Sequence, residues 1–166
     1  MSLMKKINDK MFNLSKIKFI FTILVFDFII SIMFIPISIL YQNFIGSVGG
    51  PNIPDLKILF IRAVIIAPLY ETLIYQMGVI KLFSLSKKIK NNKLLLIFIS
   101  AVFFGLSHFY SMLYIFSGFI SGILLAYSFI VYEYREKSGF YVTAIIHSLI
   151  NLEAFIFEIF KTYLVF

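Results

Sequence analysis

The sequence predicts an all-α protein, a polytopic transmembrane helical bundle of about five transmembrane helices, and three observations carry that prediction. The composition is 61% hydrophobic and 14% charged, with no tryptophan and a mean hydropathy of +0.98, far from the balance of a soluble domain. Apolar runs recur at lengths near the ~20 residues that a helix needs to cross the hydrocarbon. Between them stand short polar segments rich in lysine or in glycine and proline. At 166 residues the chain is of single-domain size, with nearly all of its core inside the membrane.

The first span is expected over 19–43, behind Lys5, Lys6, Lys10, Lys16 and Lys18. It looks superficially like a secretory signal, but the apolar run is too long and lacks a small-residue cleavage site. A retained signal anchor is expected. GSVGGPNIPDL is the one clear loop signal and separates it from a second span over 58–81. SKKIKNNK then leads into a third span, 94–110, and a fourth is expected over 113–132. The link between those two, HFYSML, must be a very tight turn, although no glycine or proline marks it. YEYREKSG precedes the fifth span, 139–160. The organisation is thus 1–56, a basic segment with signal anchor and extracytoplasmic loop, and 57–166, the core that carries the functional residues.

A net charge of +7 raises the question of nucleic acid, but the lysines flank apolar runs instead of lining a folded surface. Topology and anionic lipid headgroups explain them better, and no nucleic-acid partner is expected. With the N-terminus inside, the cytoplasmic segments take the five N-terminal lysines, then Lys81, Lys87, Lys88, Lys90 and Lys93, then Arg135 and Lys137. Only Lys57, Arg62 and Lys161 fall elsewhere, which gives N-terminus inside and C-terminus outside. A composition rich in Ile, Lys, Asn and Phe suggests an AT-rich bacterial genome, hence a bacterial cytoplasmic membrane. The absence of cysteine excludes disulfides and thiolate metal sites.

Against this background four polar residues stand out: Glu71 in APLYETLIYQ, His108 in FFGLSH, and His147 with Asn151 in HSLIN. Ionisable groups inside a membrane are expensive and mark function by default. At ~1.5 Å per residue, Glu71 lies about 15 Å from Lys81, His108 about 22 Å from Lys93, and His147 and Asn151 about 15 and 21 Å from Lys137. All four fall in a middle band of the ~30 Å core, so residues from three spans can meet at one depth. Phe104 and His108, like His147 and Asn151, are four apart and are expected to share a helix face. Pro68, one turn before Glu71, removes a backbone donor and disturbs the carbonyl of Val64. Such a break is tolerated beside a solvated pocket.

Other polar positions favour structure. Asp27, mid-way along the first span, is expected to pair with Arg62 or another polar group. Glu153 and Glu158 read as interfacial, and Gly118 with Gly122 forms a small-xxx-small pattern for close helix packing. The many phenylalanines and tyrosines are lipid-facing bulk and interfacial anchors.

A carboxylate withdrawn from water is a stronger base, usable near neutral pH if histidines or a metal balance its charge. Glu71 would then activate a water for attack on a carbonyl. The imidazoles and Asn151 would stabilise the oxyanion, or His108, His147 and Glu71 would bind a divalent metal such as zinc that activates the same water. Both schemes hydrolyse an amide, and the residues leave open whether any cofactor is needed. There is no HExxH and no Gly-x-Gly-Asp with a second intramembrane aspartate, and a Ser117-based dyad would leave Glu71 and His108 without a role.

The order Glu71, Phe104-x-x-x-His108, His147-x-x-x-Asn151 resembles the three motifs of the CPBP intramembrane proteases, the CAAX-processing and bacteriocin-processing (Abi) family. Those motifs are EExxxR, FxxxH and HxxxN or HxxxB, on separate transmembrane helices. The resemblance covers about residues 64–155, including Ala67, Pro68 and Gly78 around the first motif. The second and third motifs match, whereas Thr72 stands for the second glutamate and Gln76 for the arginine. Losing an acid and a base together avoids an orphan buried charge. The resemblance implies Glu71 as base with His108, His147 and Asn151 as partners. It also implies a membrane-associated or hydrophobic peptide substrate, in bacteriocin maturation, self-immunity or peptide-signal processing. Two rivals remain: a non-catalytic immunity or scaffold protein, favoured by Thr72 and Gln76, and a small transporter or ion-binding protein using the same buried groups.

Overall fold

A computed structural model describes residues 9–51 and 53–164, with side chains described up to Phe160. Lys5, Lys6 and the side chain of Lys161, counted in the charge pattern above, lie outside the described residues. The fold is all-α, with no strand among the described residues. Helix α1 (Lys16–Phe44) leads through the glycine-rich loop to α2 (Leu56–Phe83). The short α3 (Lys87–Lys90), α4 (Lys93–Leu106), α5 (Met112–Glu136) and α6 (Gly139–Leu164) follow. By length and composition, α1, α2, α5 and α6 can each cross a membrane. Helix α4 has 14 residues and spans only ~21 Å, short of the ~30 Å hydrocarbon core. The five expected spans are therefore four full-length helices and one shorter apolar helix.

Local chemistry accounts for the helix ends. Asp55 accepts the backbone N–H groups of Lys57 and Ile58 at 2.8 and 3.1 Å and starts α2; Asn92 starts α4 by accepting from Leu95 at 3.0 Å. The third span was expected to reach residue 110 and carry His108 on a helix face. It ends at Leu106 instead, and His108 lies in the turn to α5. The Ser107 hydroxyl and the His108 ring both fold back onto the carbonyl of Phe104, at 2.7 and 2.8 Å, and His108 N–H donates to Gly105 O. Ser111 opens α5 by accepting from Tyr114 N–H, and its own hydroxyl donates to Val48 O at 2.6 Å. That bond seats the glycine loop on the turn. Gly49, at φ +80°, lies so close to Tyr110 that a Cβ there would stand 2.8 Å from Tyr110 Cβ.

Helices α4 and α5 pack at backbone contact. A Cβ on Gly105 would lie 2.9 Å from Ile115 O, and one on Gly122 would lie 3.0 Å from Ala101 Cα. Helix α5 is central: Leu125 and Tyr132 pack with Phe19 and Ile23 of α1 and Val142 and Ile146 of α6, while Phe129 and Ile130 pack with Ile80 and Leu96. Only the first half of α1 takes part. Beyond Asp27, residues such as Phe28, Met33 and Leu40 are exposed, as befits a lipid-facing surface. The basic segments gather at one end of the bundle. Lys16 pairs with Glu136 at 2.8 Å and Lys81 with Glu133 at 3.7 Å, Lys93 lies 4.1 Å over the Tyr134 ring, and Arg135 donates to Leu14 O at 2.9 Å.

Candidate active site

Helix α2 is wound unevenly, and its winding sets up the site. Two wide segments with i→i+5 bonding, Ile61–Ile66 and Thr72–Gly78, flank one α-helical turn, Ala67–Glu71, that contains Pro68. Wide turns of this kind often occur at functional sites. Here the N–H of Ala67 bonds Arg62 O, one residue further back than in an α-helix. The next donor in that wide register would come from residue 68, which as proline has no N–H. The carbonyl left over is thus that of Ala63, not Val64 as α-helical spacing implied. Asn151 of α6 donates its Nδ2 to Ala63 O at 2.8 Å.

The carboxylate of Glu71 is engaged at both oxygens. Tyr70 donates its hydroxyl to Oε1 at 3.1 Å, and Oε2 lies 3.6 Å from His147 Nε2. On the other side of that imidazole, Thr72 Oγ1 lies 3.5 Å from Nδ1. His147 is 3% exposed and Thr72 is fully buried. The ring of Phe104 touches both histidines, with centroids 4.6 Å from His108 and 5.5 Å from His147. His108, half-buried, is in electrostatic range of Glu71 and of His147. Its Nδ1 faces the Phe104 carbonyl at 2.8 Å, an atom that only accepts, so Nδ1 carries the proton and Nε2 is left open. Tyr114 stacks on it at 5.8 Å, and Gly118 stands close enough that a Cβ would lie 3.3 Å from the ring.

Glu71 and His147 are therefore in contact, and Phe104 touches both imidazoles. Asn151 stands one turn beyond His147 with its amide committed to α2. Among the described residues no three His, Asp or Glu side chains are grouped so as to hold a metal ion. Tyr70 was missed by sequence reasoning because adjacent helical residues do not normally face each other. Asp27 pairs with Ser121, which hydrogen-bonds its carboxylate, while Arg62 is exposed and belongs to no ion pair among the described residues. Glu153, expected at the interface, lies close enough to Asp27 for the two charges to interact.

A family model described as Type II CAAX prenyl endopeptidase Rce1-like matches residues 54–152. The chain belongs to the Rce1-like family. It is thereby a member of the CPBP intramembrane proteases, and the matched stretch runs from the start of α2 past Asn151. Neither a curated protein nor a solved structure matches it. The Rce1-like family consists of CAAX-type intramembrane endopeptidases, with substrates at the membrane. Within this Rce1-like protein, the two departures from the CPBP pattern, Thr72 and Gln76, are both fully buried. Both amide atoms of Gln76 and the hydroxyl of Thr143 lack hydrogen-bond partners among the described residues.

Proposed function

We propose that this Rce1-like chain is an endopeptidase that hydrolyses a membrane-associated or hydrophobic peptide with a water activated by Glu71. The observation that carries the reading is the double engagement of one half-buried carboxylate: Tyr70 holds Oε1, and Oε2 faces the imidazole of His147. Glu71 takes a proton from water as the oxygen attacks the scissile carbonyl. The oxyanion that forms is met by N–H donors, of which His147 Nε2 is the nearest to Glu71. When the tetrahedral intermediate collapses, the C–N bond breaks and the proton held on Glu71 passes to the leaving amine. His108 completes the site from the α4–α5 turn. Asn151 acts at one remove, by tying α6 to the wide turn of α2. The basic end of the bundle is the cytoplasmic end in this reading, which leaves the glycine loop on the opposite side.

The test compares membranes of the native host carrying wild type, Glu71→Gln, His108→Ala or His147→Ala, following released and retained peptides by mass spectrometry. The same peptide should accumulate uncleaved in all three variants at unchanged protein level. Identical peptide profiles in wild type and all three variants would overturn the enzymatic reading in favour of a binding role.

A further inference from the structure

Thr72 differs from the serine hydroxyls packed inside this protein, and from Thr143, whose buried hydroxyl has no partner among the described residues. Ser100 donates to Tyr75 O, Ser107 to Phe104 O and Ser128 to Leu124 O, each at 2.7 to 2.9 Å. These hydroxyl hydrogens are spent on backbone carbonyls. Thr72 Oγ1, fully buried, has one hydrogen-bond partner among the described residues, and it is His147 Nδ1 at 3.5 Å. If the hydroxyl accepted from an N–H there, its own hydrogen would be stranded in the core, and an unsatisfied buried donor is costly. Donation by the hydroxyl to a lone pair on Nδ1 is the arrangement that satisfies both atoms.

The other face of the ring requires the same arrangement. Nε2 lies 3.6 Å from Glu71 Oε2. A lone pair on Nε2 would be turned toward a carboxylate oxygen, whereas an N–H there points its positive end at it. Two independent contacts thus select one form of the imidazole. The Phe104 ring also contacts this imidazole, and among the described residues Thr72 Oγ1 is the one hydrogen-bonding group within reach of Nδ1.

We propose that Thr72 is a positioning residue that fixes His147 in the tautomer protonated on Nε2, presenting that N–H beside Glu71 as a fixed donor. A hydroxyl suits this task because it can donate, whereas a carboxylate at position 72 would force a proton onto Nδ1. The threonine is then a working part of the site in this chain. Its catalytic meaning rests on the hydrolytic reading, but its geometry does not.

The experiment is long-range 1H–15N correlation on histidine-labelled protein in lipid nanodiscs, with His108→Gln used to assign the two rings. Wild type should show His147 protonated on Nε2 and bare on Nδ1. Thr72→Ser should keep that pattern and Thr72→Val should lose it, with peptide turnover falling about 10- to 100-fold in kcat, in the range for groups that orient a working histidine, and KM little changed. A wild-type spectrum with the proton on Nδ1, or a pattern unchanged in Thr72→Val, would overturn the proposal. The wild-type spectrum decides even if Thr72→Val fails to fold. Should the spectra follow expectation while no peptide is cleaved, the tautomer assignment stands and the hydrolytic reading falls.

Discussion

Asn151 donates its side-chain amide to the backbone carbonyl of Ala63 at 2.8 Å, which closes the gap that Pro68 leaves in α2. This is a sequence relationship as much as a structural one. The proline is tolerated because an amide from another helix replaces the missing donor, as membrane interiors require. Losing that bond should cost about 0.5–2 kcal/mol. Asn151→Leu is therefore expected to lower the melting temperature, and to lower it less in a Pro68→Ala background, where residue 68 regains an N–H. Equal losses in both backgrounds would show that the two residues are not linked.

Gly122 is where α4 and α5 touch, its nearest neighbours being Ala101 Cα and Phe104 Cβ. Because Phe104 packs on both histidines, overpacking at this glycine should reach the site. Gly122→Val is expected to destabilise by about 1–3 kcal/mol and to reduce turnover, whereas Ser117→Val on the exposed face of α5 leaves both unchanged. Thermal melts with a peptide assay would check both halves.

Gln76 is fully buried, and neither amide atom has a hydrogen-bond partner among the described residues. Replacing it by methionine, similar in length and apolar, removes an unsatisfied group whose cost is about 1–3 kcal/mol. Gln76→Met should raise the melting temperature. A fall would mean that the amide is hydrogen-bonded in solution.

Lys137 ends α5 in the left-handed region at φ 56°, with its N–H on Tyr132 O. A side chain costs roughly 1–2 kcal/mol there, so Lys137→Gly should be stabilising despite the loss of a basic residue. Denaturation in detergent of the single variant measures it.

Much of this architecture was legible in the sequence because hydropathy and charge act over whole spans. The helices α1, α2, α5 and α6 begin within three residues of where the apolar runs placed them. The small-xxx-small pair Gly118 and Gly122 does mark the close helix contact. What escaped depends on single backbone bonds. The early end of α4 follows from side chains that turn back onto Phe104 O, and α-helical spacing could not foresee it. The wide winding of α2 likewise moved the orphan carbonyl from Val64 to Ala63, and the Tyr70 hydroxyl reaches its neighbour Glu71 within the intervening α-helical turn. Asp27 found Ser121 because α5, not α2, packs against that stretch of α1. Which polar groups share a depth could be counted from the lysines, but which of them touch could not.

The central claim is that Glu71 activates water for peptide hydrolysis. It is tested most directly by reconstituting purified protein in liposomes with the peptide that accumulates in variant membranes, and comparing cleavage by wild type and Glu71→Gln. Wild type should cleave the peptide, and Glu71→Gln should lose at least about 100-fold in kcat, the scale of a general base, with matching melting temperatures. Equal cleavage by the two proteins, or none by wild type, would contradict it.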